Sequence, residues 1–232
     1  MKIVIVHLGN MSDVLVASSI NKVLVKNDVK ITWAIANKDI ADVFKYNDSV
    51  KTVLADQVKE EDYDVLFNLS SDRAALDVTA KEKHGLLIDD EKYHQILYGD
   101  EVTNMNLFQI YYRLIGSSWR GQGYDLQYRP RTKSRKSRIG LAVANPNLRY
   151  FINDNLNLEL SKLWVIPFKN NIYRKMDEIN KCKTIVTDDF ITMHLALYLR
   201  KYVHFLRTIP ANFNVEMFGS GYCYDVPVMC LR

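Results

Sequence analysis

MKIVIVHLGNMSDVLVASSINKVLV, residues 1–25, decides how the rest of the chain reads. Residues 2–7 are dominated by β-branched side chains and predict a buried parallel strand. Gly9, Asn10 and Ser12 are turn residues that break it. Asp13 follows, and then Val14, Leu15, Ile20, Val23 and Leu24 recur at the spacing of an amphipathic helix. Strand, small-residue loop and helix in that order open an α/β sheet. In such sheets ligands bind beyond the carboxyl ends of the strands, which puts Asp13 at the mouth of that crevice. The same position suits a helix cap or a first-turn acid, so spacing alone leaves both roles open.

A chain of 232 residues predicts about one to two domains, and a hydrophobic fraction of 48% is ample for a core, so nothing in the composition suggests disorder. No apolar run approaches the roughly 20 residues that span a bilayer. Residues 2–8 are too short for the core of an export signal. Cys182, Cys223 and Cys230 form neither a disulfide framework nor a metal-binding spacing, so the expected setting is the reducing cytoplasm, with no metal. Charge is uneven: residues 1–128 carry 14 Lys and Arg against 19 Asp and Glu, whereas residues 129–232 carry 17 against 8. The basic half suits an anionic ligand. Six of the ten residues 129–138 are basic, which also fits a solvated linker. Nucleic acid is not an expected partner, because no motif for it accompanies the basic run. The loop at Gly9-Asn10-Met11-Ser12 lacks the glycines of a dinucleotide fingerprint, which argues against an NAD enzyme.

Patterning predicts further strands at 30–36, 50–54, 63–69 and 85–88, with helices at 39–44, 73–80 and 106–115. Gly116 is a natural stop for the last of these. A second series begins after a stretch rich in Gly, Ser, Arg and Pro. Strands are expected at 138–143, 163–168, 184–187 and 202–206, with helices at 172–180 and 192–198. Strands alternating with helices predict parallel sheets. The expected organisation is an N-terminal domain at 1–116, a basic linker at 117–137 and a C-terminal domain at 138–232.

These segments resemble glycosyltransferase family 9, the heptosyltransferase type. Met11-Ser12-Asp13-Val14 resembles the family's Met-Gly-Asp-[Val/Ile] loop after the first strand. YDVLFNLSSDRAALDVTAKEKHGLLID resembles a later N-terminal strand, the helix after it and a Gly-Leu strand. Asn106-Leu107-Phe108 followed by Tyr111 and Leu114 resembles a helix of some members. IVTDDFITMHLAL, from Ile185, resembles Val-Ser-Asn-Asp-Ser-Gly-Pro-Met-His-Leu-Ala-Ala, and FGSGY a Phe-Gly segment near the end. The match is scattered over most of the chain, with its anchors at residues 1–20 and 184–197. It implies two Rossmann-like domains facing a cleft (the GT-B arrangement), the acceptor mainly on the first and the donor sugar nucleotide mainly on the second. It implies a cytoplasmic enzyme that transfers a sugar, heptose in the type members, to a glycan or lipid-linked acceptor, often at the inner membrane face, with no metal or other cofactor. Two departures stand out: Ser12 replaces Gly, and Phe190-Ile191-Thr192 replaces Ser-Gly-Pro. The chain is also shorter than typical members, so its C-terminal domain is expected to be reduced.

Inverting transfer needs a base for the acceptor hydroxyl and dipoles or positive charge for the departing diphosphate. The resemblance assigns the base to Asp13, against the rival that it only caps. Asn10, Met11 and Ser12 form the acceptor-side loop. Asp189, Thr192, His194 and Arg149 are the donor-side candidates. Three of them have a plainer alternative: Asp189 an N-cap, His194 a packing residue, Arg149 a surface guanidinium. Ser70, Ser71, Asp72 and Arg73 end a strand at the same edge, where capping explains Ser71 or Asp72 equally well. His7 reads as a core or edge position. Asp188 and Asp189 read poorly as a metal pair, because neighbours at a strand end point apart. The alternative function is a degenerate subunit that binds a sugar nucleotide or glycan without turnover.

Overall fold

The computed structural model describes residues 1–26, 28–58, 62–71, 77–88, 105–134, 138–145, 147–156, 158, 163–168, 171–207 and 220–226, without the side chains of 149, 150, 153 and 154. The chain divides into two compact units, Met1–Gln127 and Tyr128–Arg232. Each is built on a five-stranded parallel sheet.

In the first unit the strands are β1 (Lys2–His7), β2 (Lys30–Ile35), β3 (Val50–Leu54), β4 (Tyr63–Asn68) and β5 (Ala80–Gly85), in the order β3-β2-β1-β4-β5. Central β1 pairs with β2 and β4 at once, so that Ile5 lies opposite both Trp33 and Phe67. Ile3, Val4, Ile5 and Val6 are all buried. A strand covered on both faces needs an unbroken apolar run, as residues 3–6 supply. The strand order reverses between β1 and β4, which is the topological switch point of the sheet.

After β1 a continuous helical run is made of α1 (Met11–Ala17), a 3-10 turn (Ser18–Ile20) and α2 (Asn21–Leu24). Trp33 on β2 donates to Asn21 Oδ1 at 2.9 Å and ties this run to the sheet. α3 (Lys38–Ala41) follows β2, and α4 (Leu107–Leu114) follows β5. Asn106 and Gln109 form a reciprocal capping box at the start of α4, each bond 3.0 Å. Tyr112 then pins α4 to the helical run by donating to the Ser19 carbonyl at 2.8 Å. Phe108 packs against Trp119 and Tyr124, and Asp125 N–H donates to Ser18 Oγ at 3.1 Å. Part of the stretch 117–137 is therefore packed chain belonging to this unit.

The second unit contains β6 (Ile139–Ala142), α5 (Leu148–Asn155), β7 (Leu163–Val165), α6 (Ile172–Asn180), β8 (Thr184–Thr187), α7 (Phe190–Tyr198), β9 (Tyr202–Arg207) and β10 (Gly221–Asp225). Its order is β10-β9-β8-β6-β7, reversing between β6 and β8. Leu141, Leu148, Ile152, Val186 and Leu206 form its core. Asp177 on α6 accepts from Tyr128 Oη at 3.1 Å and from Arg131 N–H at 2.7 Å. The chain entering this unit is thus held from its first residue.

Three elements differ from the sequence reading. β5 spans Ala80–Gly85 rather than 85–88; Ala80 belongs to it, and 73–76 of the expected helix lie outside the described residues. β5 is an edge strand carrying Lys81, Glu82 and Lys83, the charged composition that edges favour and that hides them from a hydrophobic pattern. α5 starts without a side-chain cap and is rich in Asn, a poor helix former. β10, the opposite edge of the second sheet, follows a Gly-Ser-Gly run that reads as turn.

Gly85 ends β5 at φ +108, and a Cβ there would lie 2.1 Å from the Asn68 carbonyl oxygen. Backbone sits against backbone, so neither side can give way. Gly85→Ala should lower stability in chemical denaturation by more than the ~1 kcal/mol of an ordinary helix-interior Gly exchange, and toward the top of the ~1–3 kcal/mol range for backbone strain.

Candidate functional site

The first site sits at the carboxyl end of β1, beside the switch point. Asn10 is the N-cap of α1: its Oδ1 accepts from Asp13 N–H at 3.1 Å, and also from the Ser12 hydroxyl. The capping role weighed for Asp13 is therefore filled by Asn10. Asp13 itself lies in the first turn of the helix, half-buried. Among the described residues its carboxylate accepts no hydrogen bond. Burial pushes its pKa up, so the field of the helix start does not offset the lost hydration. Met11 and Ser12 are partly exposed beside it.

His7, the last residue of β1, is buried at 3% exposure. Its Nδ1 accepts from Gly9 N–H at 3.1 Å, and its Nε2 lies 2.9 Å from Tyr111 Oη on α4. An acceptor at Nδ1 leaves the proton on Nε2, so His7 donates to the phenol. Burial lowers the His7 pKa to about 4 and keeps the ring neutral. A Cβ on Gly9 would lie 2.7 Å from His7 Cε1 and 3.3 Å from Asp13 Oδ2. Imidazole and carboxylate therefore flank Gly9, and the loop needs the missing side chain there. Burial, with the Asp13 charge as a second cause, raises the Tyr111 pKa well above the ordinary phenol range.

The corresponding site in the second unit lies at the ends of β6 and β8. Asp188 accepts from the N–H groups of Ala144 at 2.9 Å and Asn145 at 3.3 Å, fixing the loop after β6. Asp189 is the N-cap of α7 and accepts from the N–H and the hydroxyl of Thr192, at 3.0 and 2.5 Å. It also pairs with Lys175 of α6 at 3.2 Å, whose side chain is only 5% exposed. Burial pushes Asp189 up, but the Thr192 hydroxyl, the Lys175 charge and the Thr192 N–H together outweigh it and hold the pKa below the usual value. His194 is buried within α7, and burial lowers its pKa to about 3 against the opposing Asp189 charge. The two neighbouring carboxylates thus hold different segments.

The structure brings Asn10, Met11, Ser12 and Asp13 together at one helix start, and Asp189, Thr192 and His194 at another. Arg149 is on α5, with its side chain outside the described residues, as are Asp72 and Arg73. Ser70 is held by its N–H to Asn68 Oδ1 at 3.0 Å. Sequence reading missed three contributors. Tyr111 was legible only as one aromatic of an amphipathic helix. Lys175 has no local signal in IYRKMDEIN. His7 carried one faint clue, a polar residue ending an otherwise apolar strand. Among the described residues no group of three or more His, Cys, Asp or Glu could hold a metal ion, and no helix is long and apolar enough to cross a membrane. Cavities of about 630 and 700 Å³ lie at Lys30, Val50 and Tyr63, and at Arg138, Trp164 and Lys181, away from Asp13 and Asp189.

No protein-family model matches the sequence, and no curated protein matches it significantly. Solved structures match it in fold. The E. coli ADP-heptose lps heptosyltransferase II aligns with a TM-score of 0.68 at 12% identity, over 98% of this chain and 91% of its own. The E. coli heptosyltransferase WaaC, solved with ADP-2-deoxy-2-fluoro heptose, aligns with a TM-score of 0.66 at 13% identity, over 98% and 94%. The glycosyl transferase family 9 protein of Veillonella parvula DSM 2008 gives 0.66 at 13%, over 97% and 86%. The chain has the fold of the family 9 heptosyltransferases, and at these identities the likeness is one of fold.

The pair of Asp189 with Lys175 makes a pH-dependent contribution to stability. A carboxylate held below its unfolded pKa stabilises the fold above that value, and the contribution is lost as pH falls through the folded pKa. Asp189→Asn keeps a good cap but strands the Lys175 ammonium. Equilibrium unfolding at neutral pH should show a loss of about 3 kcal/mol. Below about pH 4 the gap to the parent should narrow. A constant gap across that window would mean that the ion pair contributes nothing.

Proposed function

We propose that this chain is an inverting glycosyltransferase of the heptosyltransferase type, moving a sugar from a nucleotide-diphosphate donor to a glycan or lipid-linked acceptor. One observation carries the reading. At the switch point of a sheet with this fold, Asp13 is a half-buried carboxylate relieved of capping by Asn10. Burial raises its pKa, and a carboxylate with a raised pKa is a stronger base. The nucleotide-sugar ligand of WaaC supports the donor class, and the basic second half of the chain suits a diphosphate.

In this reading the first unit receives the acceptor and the second the donor. The second is a reduced form of the donor domain. Asp13 takes the acceptor hydroxyl proton as that oxygen attacks the sugar's C1. The bond from C1 to the phosphate oxygen breaks, and its electron pair leaves with the diphosphate. Asn10, Met11 and Ser12 form the acceptor side. Asp189, Thr192 and His194 shape the donor side by fixing the start of α7, and Arg149 supplies positive charge. The reaction is cytoplasmic, beside the inner membrane face where a lipid-linked acceptor would lie.

The test is incubation with a panel of sugar nucleotides, read by donor consumption and by ligand-induced melting shifts. No response to any donor would sink the reading. A bound donor with no transfer would favour a binding subunit instead. Asp13→Asn should leave donor binding nearly unchanged and lower transfer by about 10²–10⁴-fold. Because the folded pKa of Asp13 is raised, its ionised form burdens the fold above that pKa. The variant should therefore melt no lower than the parent at neutral pH, and any gain should vanish as pH falls. Transfer at the parent rate would remove Asp13 from the mechanism.

A further inference from the structure

The hydrogen-bond direction at His7 has a consequence for Tyr111. Nδ1 is occupied by Gly9 N–H at 3.1 Å, so the Nε2 proton points at Tyr111 Oη, 2.9 Å away. The phenol oxygen is used as an acceptor, and its own proton must be directed elsewhere. Tyr111 is 6% exposed, and among the described residues its hydroxyl proton has no acceptor. Buried hydroxyl donors nearly always find one. Asp13 beside it shows the complementary lack: a half-buried carboxylate that accepts no hydrogen bond among the described residues. Among the described residues, then, one donor lacks an acceptor and one acceptor lacks a donor on the two sides of His7 and Gly9: Tyr111 against the His7 ring and Asp13 against Gly9, near enough for its charge to act on the phenol.

We propose that Tyr111 and Asp13 together form a binding site for a single hydroxyl group, the phenol donating to its oxygen and the carboxylate accepting its proton. An alcohol fits this pair, since a hydroxyl is both acceptor and donor. An amine would be protonated and repelled by the phenol proton, and an anion would meet the Asp13 charge. In the transferase reading, on which the functional side of this inference rests, the group is the attacking hydroxyl of the acceptor sugar. Tyr111 is then a positioning residue. It keeps its proton throughout, because burial holds its pKa far above neutral. It aims the acceptor lone pair while Asp13 removes the proton. His7 sets the phenol's orientation, and Tyr112, pinned to Ser19 at 2.8 Å, fixes its height on α4. In the absence of an alcohol, a water completes the same bridge.

The bridge is tested without donor or acceptor, by carbon-13 NMR of the Asp13 carboxyl and the Tyr111 Cζ across an acid titration of the unaltered protein. Among the described residues, the titratable groups facing the pair are His7 from β1 and each other. With a bridging water, the Tyr111 resonance should move with the Asp13 midpoint, and Tyr111→Phe should raise that midpoint by about 0.5–1 unit, since the water that donates to the anion loses the phenol that holds it. A Tyr111 signal that stays flat through the Asp13 transition overturns the proposal, whether or not the Phe variant folds. An unchanged Asp13 midpoint in a folded Phe variant overturns it as well. The result is independent of turnover: coupled resonances with an active Asp13→Asn enzyme would leave the hydroxyl site standing and remove only the transferase role of Asp13.

Discussion

The simultaneous pairing of β1 with β2 and β4 is the constraint from which the first unit follows. A strand bonded along both edges and covered on both faces has no freedom of register. Its end is therefore a fixed point, and the chain must leave it abruptly to begin a helix. His7 turns its ring back over the loop and accepts the Gly9 N–H, which closes the turn from within. The ring then occupies the space that a Cβ at position 9 would need. Asn10 takes up the Asp13 N–H, so the helix starts without calling on the aspartate side chain. Strand pairing, imidazole, glycine and cap are successive steps that end in a carboxylate without a hydrogen bond among the described residues.

The second unit begins its corresponding helix by the opposite arrangement. There Asp189 both caps α7 and holds the Lys175 ammonium, and Asp188 is used up on the loop after β6. The two units thus contain aspartates at comparable positions with opposite electrostatic outcomes. Where hydrogen bonds and a cation fill the carboxylate, its pKa lies below the usual value; where burial acts alone, it lies above. Only the second condition suits proton abstraction, and only the first suits a rigid platform. A basic loop or a helix start can bind an anion without a titrating carboxylate, so the difference also fits a division between a reacting side and a holding side.

What the sequence shows of this arrangement follows from which forces are local. β1, α6 and β8 could be placed because continuous apolar runs and 3.6-residue periodicity record burial directly. β5 was placed too late, at 85–88, because its edge residues Lys81, Glu82 and Lys83 hide it from a hydrophobic pattern, and β10 was passed over because its start lies in a Gly-Ser-Gly run that reads as turn. α5 escaped because its helix is held by packing of Leu148 and Ile152 rather than by propensity. At the site, Asp13 and Asp189 were legible because helix starts have a chemical signature. The partners that set their protonation were not. Tyr111 reaches His7 from 104 residues away, and Lys175 reaches Asp189 from the preceding helix. Long-range partners leave no periodic trace, and their directions of bonding depend on hydrogen positions that only the assembled geometry fixes.

The energetics of Asp13 separate it from a residue placed for folding. Its folded pKa lies above the unfolded value, so its contribution to stability is greatest in acid and falls as pH rises through that pKa. At neutral pH the ionised carboxylate is an electrostatic burden on the helix it begins, partly relieved by the macrodipole. A helix start needs no such residue once Asn10 has capped it. Asp189 shows what the same chain does with an aspartate meant for stability: it surrounds the carboxylate with donors until the charged form is favoured. Asp13 is instead set beside a phenol whose proton points away from His7 and, among the described residues, toward no acceptor. Donor and carboxylate each lack the partner that a hydroxyl would supply, and a group entering between them would relieve both deficits at once.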